Sequence, residues 1–247
     1  MSIKTAEELA GMHAAGLVVR RTLEAMRRAV RPGVTTAEVD EVGARVIREH
    51  RARPAPALVY GFPGANLISV NNEVVHGIPG TRKIREGDLV KLDVTIEKDG
   101  FVADAAITVG VGKISEQKSR LLACAERAFH GAMKVARAGV RVAEIGGEIE
   151  QEVRRSGFSV IRELGGHGIG RTIHEPPSVP NYLDRSSQEI LTEGLVITVE
   201  PIISTGSGKV FLGADGWTVE TTDGGMSAHC EHTLMITNGQ PILLTAA

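Results

Sequence analysis

The segment EGDLVKLD, residues 86–93, matches a second segment, EGLVITVE, residues 193–200. Each opens on Glu-Gly and continues as an apolar, strand-like run that ends in a single acid. A further pair of segments, GVTTAEVDEVGARVIRE (33–49) and GVRVAEIGGEIEQEVRR (139–155), matches at nearly the same offset, and both have the apolar spacing of amphipathic helices. Two matches at nearly one offset indicate that the chain consists of duplicated halves.

The order of these elements predicts an α+β fold. In each half, helical segments precede strands joined by hairpin turns, and this order favours an antiparallel sheet over a regular βαβ alternation. We expect one domain over residues 1–247, with halves of about 1–110 and 111–247 related by a pseudo-twofold axis. In such an arrangement, Asp93 and Glu200 approach the centre from opposite sides.

The composition is that of an ordinary globular protein, with 42% apolar and 23% charged residues. A net charge of −2 gives no general attraction to nucleic acid or membrane. The chain has neither a signal-peptide pattern at its N-terminus nor a run of 18 apolar residues, so we expect a cytoplasmic location. The two cysteines, Cys124 and Cys230, exclude a disulfide framework and a CxxC zinc site.

Four acids stand alone in strand-like apolar segments: Asp93, Asp104, Glu200 and Glu231. An ionised carboxylate is costly to bury unless it is paired or binds metal. The turn signal at residues 98–100 places Asp93 and Asp104 either directly opposite or diagonally across a hairpin, and both options put them on one face, with Cβ atoms roughly 5–7 Å apart. Surface or salt-bridged acids are the alternative for any one residue. For all four together, a shared cation is favoured.

The segment GGHGIGRTIHE, residues 165–175, adds two histidines in a run of glycines. So many glycines disfavour a helix, and they predict a chain that passes close to another group. Four carboxylates and one neutral imidazole balance two divalent ions. Two such ions about 3.5–4 Å apart can activate a water and polarise a carbonyl, which is the chemistry of hydrolysis.

Along nearly its whole length, the chain resembles the type I methionine aminopeptidases. The matching segments, in order, are RPGVTTAEVD (31–40), ISVNNEVVHGIP (68–79), LDVTIEKDGFVAD (92–104), GGHGIGRTIHEPPSVPNY (165–182), VITVEPI (196–202), DGWTVET (215–221) and SAHCEHT (227–233). The resemblance implies the pita-bread fold, in which two pseudosymmetric α+β halves, with a curved antiparallel sheet covered by helices, hold a dinuclear metal centre.

The resemblance also implies which residues bind metal, and it implies that the glycine run brings the chain against the metal cluster. Two divalent ions, with Co, Mn, Fe and Zn as the candidates, would be held by Asp93, Asp104, His167, Glu200 and Glu231. Asp104 and Glu231 would bridge both ions. Lys91 replaces a polar residue near a monovalent-cation site of some relatives, so no such ion is predicted.

The implied reaction is removal of the initiator methionine from nascent polypeptides by a metal-activated water. His174 would hydrogen-bond the substrate carbonyl, His76 would position the scissile amide, and Glu200 would also shuttle a proton. The methionine pocket would be lined by Tyr60, Phe62 and Trp217, although Trp217 fits a core position equally well. The ribosome is kept as a further partner, no membrane or specific nucleic acid is predicted, and a monomer is expected.

Several residues depart from the family pattern or stay outside it. Leu67, Val75 and Ile173 replace residues that are common in relatives, which affects the predicted shape of the pocket. A structural role is expected for four further histidines: His13, His50, His130 and His229. Two alternative functions stay open: a non-catalytic pita-bread protein that binds RNA or protein partners, and an aminopeptidase of different N-terminal specificity.

Overall fold

The computed structural model describes residues 1–245, which form five α-helices and fifteen β-strands. The helices are α1 (Ala6–Ala29), α2 (Thr36–Glu49), α3 (Ala55–Tyr60), α4 (Glu116–Val135) and α5 (Val142–Arg155). The strands are β1 (Arg53–Pro54), β2 (Leu67–Val70), β3 (Glu73–Val75), β4 (Leu89–Lys98), β5 (Phe101–Gly110), β6 (Ser159–Val160), β7 (Gly165–Gly168), β8 (Glu175–Pro180), β9 (Val196–Val199), β10 (Ile202–Ser204), β11 (Val210–Leu212), β12 (Val219–Thr221), β13 (Ser227–His229), β14 (Glu231–Met235) and β15 (Ile242–Leu243).

A nine-stranded sheet forms the centre of the molecule. Its main path runs in the order β1-β4-β5-β14-β9-β7-β8, while β2 pairs with β4 and β15 pairs with β14. Two small sheets accompany it, with the orders β13-β10-β6 and β11-β12-β3. Every strand pairing in the described chain is antiparallel, so the predicted α+β class with an antiparallel sheet is confirmed.

The repeated segments of the sequence form equivalent elements. Residues 33–49 contain α2, which begins with a capping box between Thr35 and Glu38, and residues 139–155 contain α5. The segments that begin at Glu86 and Glu193 lead into β4 and β9. The buried residues form two large clusters, one mainly from α1, α2, β4 and β5, and the other mainly from α4, α5 and β9. Most buried residues of the two copies of the repeat therefore lie in different clusters.

The hairpin between β4 and β5 has the diagonal arrangement of the two that the sequence left open. Lys98 pairs with Phe101, so the turn consists of Asp99 and Gly100, whose φ angles of 51° and 84° are both left-handed. Asp93 pairs with Ala106, and Asp104 lies two residues away along the partner strand. The two aspartates are therefore diagonal neighbours.

Among residues 1–245, none of the helices combines the length and the apolar composition that a membrane span requires.

Candidate metal centre and active site

Five neighbouring strands carry the five residues that were predicted to bind metal. The order β4-β5-β14-β9-β7 places these strands side by side in the central sheet. Asp93 lies on β4, Asp104 on β5, Glu231 at the start of β14 and His167 on β7, while Glu200 directly follows β9. Long-range strand pairing therefore brings these residues together from distant parts of the sequence.

The side chains form two compact groups that share one residue. Asp104, His167 and Glu231 make up the first group, and Asp93, His229 and Glu231 make up the second. Within each group, one ligand-type atom from every residue lies within 4.8 Å of the others. Glu231 belongs to both groups and so lies between two potential metal positions.

Glu200 and His229 complete the cluster. The Oε1 atom of Glu200 lies 3.7 Å from His167 Nε2, and its Oε2 atom lies 3.8 Å from His229 Nε2. His229 Nε2 is also 3.2 Å from Glu231 Oε2. The sequence suggested a structural role for His229 outside the site, but the structure places this residue, 2% exposed, inside the cluster. Its position two residues before Glu231 was a usable signal, because alternate residues of an extended chain face the same side.

Several buried polar atoms of the cluster have no hydrogen-bond partner among residues 1–245. They are Asp93 Oδ1, Asp104 Oδ1, Glu231 Oε1 and both ring nitrogens of His229. Buried polar atoms in proteins are normally satisfied, so each of these atoms requires an explanation. An oxygen-rich set with imidazole nitrogen suits a divalent transition metal. These residues therefore fit a metal ion.

Burial raises the pKa of all four carboxyl groups in the cluster. For Asp93 and Glu231 the pKa lies well above the usual value, since neighbouring acids add to the effect of burial. Burial raises the pKa of Glu200 to about 7, and it also raises that of Asp104, where His167 opposes the shift. A bound cation favours the ionised forms, because it supplies the positive charge that this site lacks.

Thr198 orients two members of the cluster, a role that the sequence did not reveal. Its hydroxyl donates to Glu200 Oε1 at 2.8 Å and accepts from the backbone N–H of His167 at 3.0 Å. His167 Nδ1 lies 2.9 Å from the carbonyl oxygen of Gly168, to which it can donate, and Nε2 is then left for a metal. A threonine two residues before Glu200 on β9 was the only signal.

The glycine run has a different physical reason from the predicted one. A Cβ atom at Gly166 would overlap the carbonyl oxygen of Thr198 on β9, and one at Gly168 would overlap the carbonyl oxygen of Pro176 on β8. The glycines therefore make room for neighbouring strands rather than for the metal cluster itself. Close strand packing is what holds His167 in the cluster.

Tyr60 and His174 form a hydrogen-bonded pair beside the cluster. Tyr60 ends α3, which stops at Gly61 with a left-handed φ of 73°, and its hydroxyl lies 2.6 Å from His174 Nδ1. Partial burial lowers the pKa of His174 to about 4, helped by His167 and His76, and it raises the pKa of Tyr60. The phenol therefore keeps its proton at neutral pH, and it can donate a hydrogen bond to Nδ1 in the tautomer whose imidazole proton is on Nε2.

A pocket of about 170 Å³ contains these groups and has an apolar wall. Phe62, which is 3% exposed, packs edge-to-face against Trp217 with ring centroids 5.3 Å apart. Leu67, Val75 and Ile173, the positions that depart from the family pattern, also line this pocket. Trp217 is half-buried and lines the pocket, so it is not a plain core residue.

His76 lies at the same pocket, directly after β3. Its φ angle of 60° is left-handed, an uncommon conformation for a residue with a side chain. The next residue, Gly77, donates its N–H to Ser69 Oγ at 3.0 Å. This turn presents His76 to the pocket instead of continuing the strand.

Lys91 does not pair with the acids of the site, although its spacing from Asp93 allowed that. It is 1% exposed, and its ammonium donates to the carbonyl oxygen of Asn71 at 2.7 Å and to Ser227 Oγ at 3.1 Å. Burial lowers the pKa of Lys91 to about 7. The lysine links the turn before β3 to β13, and so connects two segments that carry pocket residues.

The whole chain is similar to known methionine aminopeptidases. Residues 10–238 match the description of metallopeptidase family M24. The methionine aminopeptidase of Clostridium perfringens is 42% identical over 243 residues, which cover 98% of each chain. Methionine aminopeptidase 2 of Bacillus subtilis is 42% identical over 247 residues, which cover 99% of each chain.

Solved structures of this family have the same fold. The methionine aminopeptidase of Thermotoga maritima superposes with a TM-score of 0.96 at 36% identity, and each chain is covered completely. A prolidase from Pyrococcus furiosus, at 22% identity and a TM-score of 0.81, shares the fold, and 65% of its chain is covered. The predicted pita-bread fold is thus confirmed. The chain belongs to metallopeptidase family M24, among its methionine aminopeptidases.

Proposed function

We propose that this protein is a metal-dependent aminopeptidase that removes the N-terminal methionine from polypeptides. The observation that carries the proposal is the convergence of four acids and His167, from five neighbouring strands, in one pocket with unsatisfied ligand atoms. Similarity to methionine aminopeptidases over the full chain supports the same conclusion. An apolar pocket beside the cluster offers a place for the methionine side chain.

Two divalent ions are proposed, with the protein ligands Asp93, Asp104, His167, Glu200 and Glu231. The two groups that share Glu231 support this number. Co, Mn, Fe and Zn all suit a set of carboxylates with imidazole. When bound, such ions activate a water and polarise the carbonyl of the scissile peptide bond.

The remaining steps are assigned to side chains of this chain. His174 Nε2–H would donate to the carbonyl oxygen of the substrate and stabilise the negative charge that develops there. Glu200, oriented by Thr198, would accept the proton of the attacking water and pass it to the leaving amine. His76, held in its turn, would position the scissile amide.

Phe62, Trp217 and Tyr60 are proposed to contact the methionine side chain. The edge-to-face pair of Phe62 and Trp217 gives a firm apolar wall, and the flexible thioether of methionine can adapt to it. Tyr60 contributes its ring while its hydroxyl stays on His174. Leu67 and Ile173 line the same pocket, so their size would help to determine which substrate side chains fit into it.

The substrates are proposed to be nascent polypeptides in the cytoplasm, with the protein acting as a monomer. Both cysteines, Cys124 and Cys230, are unpaired in the described chain, and free thiols suit a reducing compartment. A contact with the ribosome is a further proposal that binding to purified ribosomes would test.

Release of methionine from the peptide Met-Ala-Ser tests the proposed function. The protein is first treated with a chelator and then assayed with Mn, Co, Fe or Zn added under anaerobic conditions. We expect release with at least one metal, no release without metal, and much slower cleavage of Leu-Ala-Ser. Absence of release with all four metals would favour a non-catalytic binding protein, and equal cleavage of both peptides would favour a different specificity.

A further inference from the structure

The cluster contains two imidazoles, but the ligand set proposed above uses only His167. The structure distributes the two rings evenly: His167 joins Asp104 and Glu231, and His229 joins Asp93 and Glu231. Each potential metal position therefore has one imidazole and two carboxylates at comparable spacing. The ring of His229 is therefore placed as well for binding a metal ion as the ring of His167.

The backbone of His229 is held by hydrogen bonds, whereas its ring nitrogens make none within residues 1–245. Its N–H donates to Thr108 Oγ1 at 2.8 Å, and the same hydroxyl donates back to the carbonyl oxygen of His229 at 2.8 Å. The side chain is 2% exposed, and neither ring nitrogen has a hydrogen-bond partner in the described part of the chain. Although Nε2 lies 3.2 Å from Glu231 Oε2, the two atoms do not form a hydrogen bond. A buried ring with two unsatisfied nitrogens is costly unless another group binds it.

We propose that His229 is a sixth protein ligand of the metal centre, binding through Nε2 at the position that Asp93 and Glu231 share. The inference rests on the proposed metal-dependent function. A neutral imidazole adds no charge, so four carboxylates still balance two divalent ions. It adds a nitrogen donor to a position that otherwise has oxygen ligands, which favours Co, Fe and Zn over the harder Mg and Ca ions.

Proton NMR of the cobalt-loaded protein tests this assignment without any substitution. The full-length protein is stripped of metal and loaded anaerobically with two equivalents of Co²⁺. Each coordinated histidine then gives one strongly shifted N–H signal that disappears in deuterated water. We expect two such signals, one from His167 and one from His229. A single signal would overturn the proposal.

Two variants assign the signals and measure affinity. His229→Gln should remove one of the signals and weaken the binding of one Co²⁺ equivalent by at least about tenfold in calorimetry, while the other equivalent is kept. His232→Gln is the matched control, because this half-buried histidine on β14 bonds to Thr245 and does not line the pocket. It should retain both signals and both affinities.

The outcomes separate this inference from the proposed function. If His229→Gln retains both signals and both Co²⁺ equivalents, His229 is not a ligand, although a wild-type protein that binds cobalt and releases methionine would still be a metal-dependent aminopeptidase. If the wild-type protein binds no Co²⁺ and releases no methionine, both proposals fail. Loss of one signal and one affinity in His229→Gln alone is the result that we expect.

Discussion

The hydrogen bond between Tyr60 and His174 couples the phenol to the tautomer of the imidazole. A neutral imidazole has one N–H and one lone pair, so a phenol that donates to Nδ1 leaves the imidazole proton on Nε2, where it can donate to a carbonyl oxygen. If Tyr60 were absent, both tautomers would be populated, and only one of them could donate from Nε2.

Replacing His174 should reduce turnover and leave the metal content unchanged. His174→Ala removes a donor to the developing oxyanion, and such a donor contributes ~3–4 kcal/mol elsewhere, so kcat should fall by about a hundredfold to a thousandfold. Steady-state kinetics with Met-Ala-Ser and elemental analysis of the same preparation give the two quantities. An equal loss of activity and metal would show that His174 acts as a ligand.

Replacing the tyrosine hydroxyl should have a smaller effect of the same kind. Tyr60→Phe keeps the ring but removes a hydrogen bond worth about 1 kcal/mol, so kcat should fall about fivefold while KM changes little. Tyr182→Phe is the matched control, since the ring of Tyr182 packs against Arg162 and does not line the pocket. A rise in KM with unchanged kcat in Tyr60→Phe would indicate that the hydroxyl contacts substrate instead.

Among the single elements, the sequence of β7 is constrained by its two neighbouring strands. It lies between β8 and β9 in the central sheet, and Gly166 and Gly168 face backbone carbonyl groups of those two strands. This close packing fixes the position of the β7 backbone, and so the position from which the His167 side chain extends into the cluster. The glycines therefore contribute to the metal centre through strand spacing, without touching it.

Two glycine substitutions should have opposite effects on stability. Gly166→Ala forces a Cβ atom against the Thr198 carbonyl oxygen, and overpacking of this kind costs about 1–3 kcal/mol. Gly131→Ala, inside α4 with room for a Cβ atom, should raise the free energy of unfolding by about 0.5–1 kcal/mol. Denaturant unfolding of both variants measures the difference. An unchanged stability of Gly166→Ala would show that β7 can move away from β9.

Some residues of the site are predictable from the sequence alone, and others are not. The lone acids were found because a charged residue is unexpected in an apolar strand. Thr198 was missed because a threonine is ordinary in a strand, and its role depends on its contacts with Glu200 and His167. A ligand role for His229 is not predictable, because a single histidine carries little information before the position of its strand is known. The hairpin register depends on the left-handed pair Asp99 and Gly100, and the turn signal in the sequence is compatible with either register.

At the scale of the whole molecule, the duplicated segments indicated the α+β class and the antiparallel sheet. The long-range pairings were not predictable in the same way. The backbone of β12 pairs with β3, and this contact between Val219 and Val75 brings the segment with Trp217 to the pocket. No local pattern in either strand specifies the other as its partner, because each is only three residues long.

Metal binding should stabilise the molecule more at neutral pH than in acid. In the metal-free protein, burial raises the pKa of Glu200 to about 7, and burial together with the neighbouring acids raises that of Glu231 well above its usual value. A raised pKa in the folded state means that stability is lost as the pH rises through that value. A bound cation offsets the cost of ionising these buried acids at neutral pH. At low pH, protons compete with the cation for the same carboxylates.

The expected result is a larger increase in Tm on adding Co²⁺ at pH 7.5 than at pH 5. Burial lowers the pKa of His229 to about 3, and that of His174 is about 4, so both rings stay neutral over this range. Thermal unfolding of chelator-treated protein at each pH provides the baseline. An increase at pH 5 that equals or exceeds the one at pH 7.5 would contradict the assignment of the acids as ligands.

The central place of β14 has a consequence for how the protein is synthesised. Glu231 follows the other proposed ligands in the chain, and its strand inserts between β5 and β9, which are far apart in the sequence. A growing polypeptide that has emerged only as far as β9 thus exposes two open sheet edges and lacks the shared carboxylate. The proposed metal centre is therefore complete only after residue 231 has been translated and β14 has paired with both strands, and until then the two edges are open to pairing with another chain.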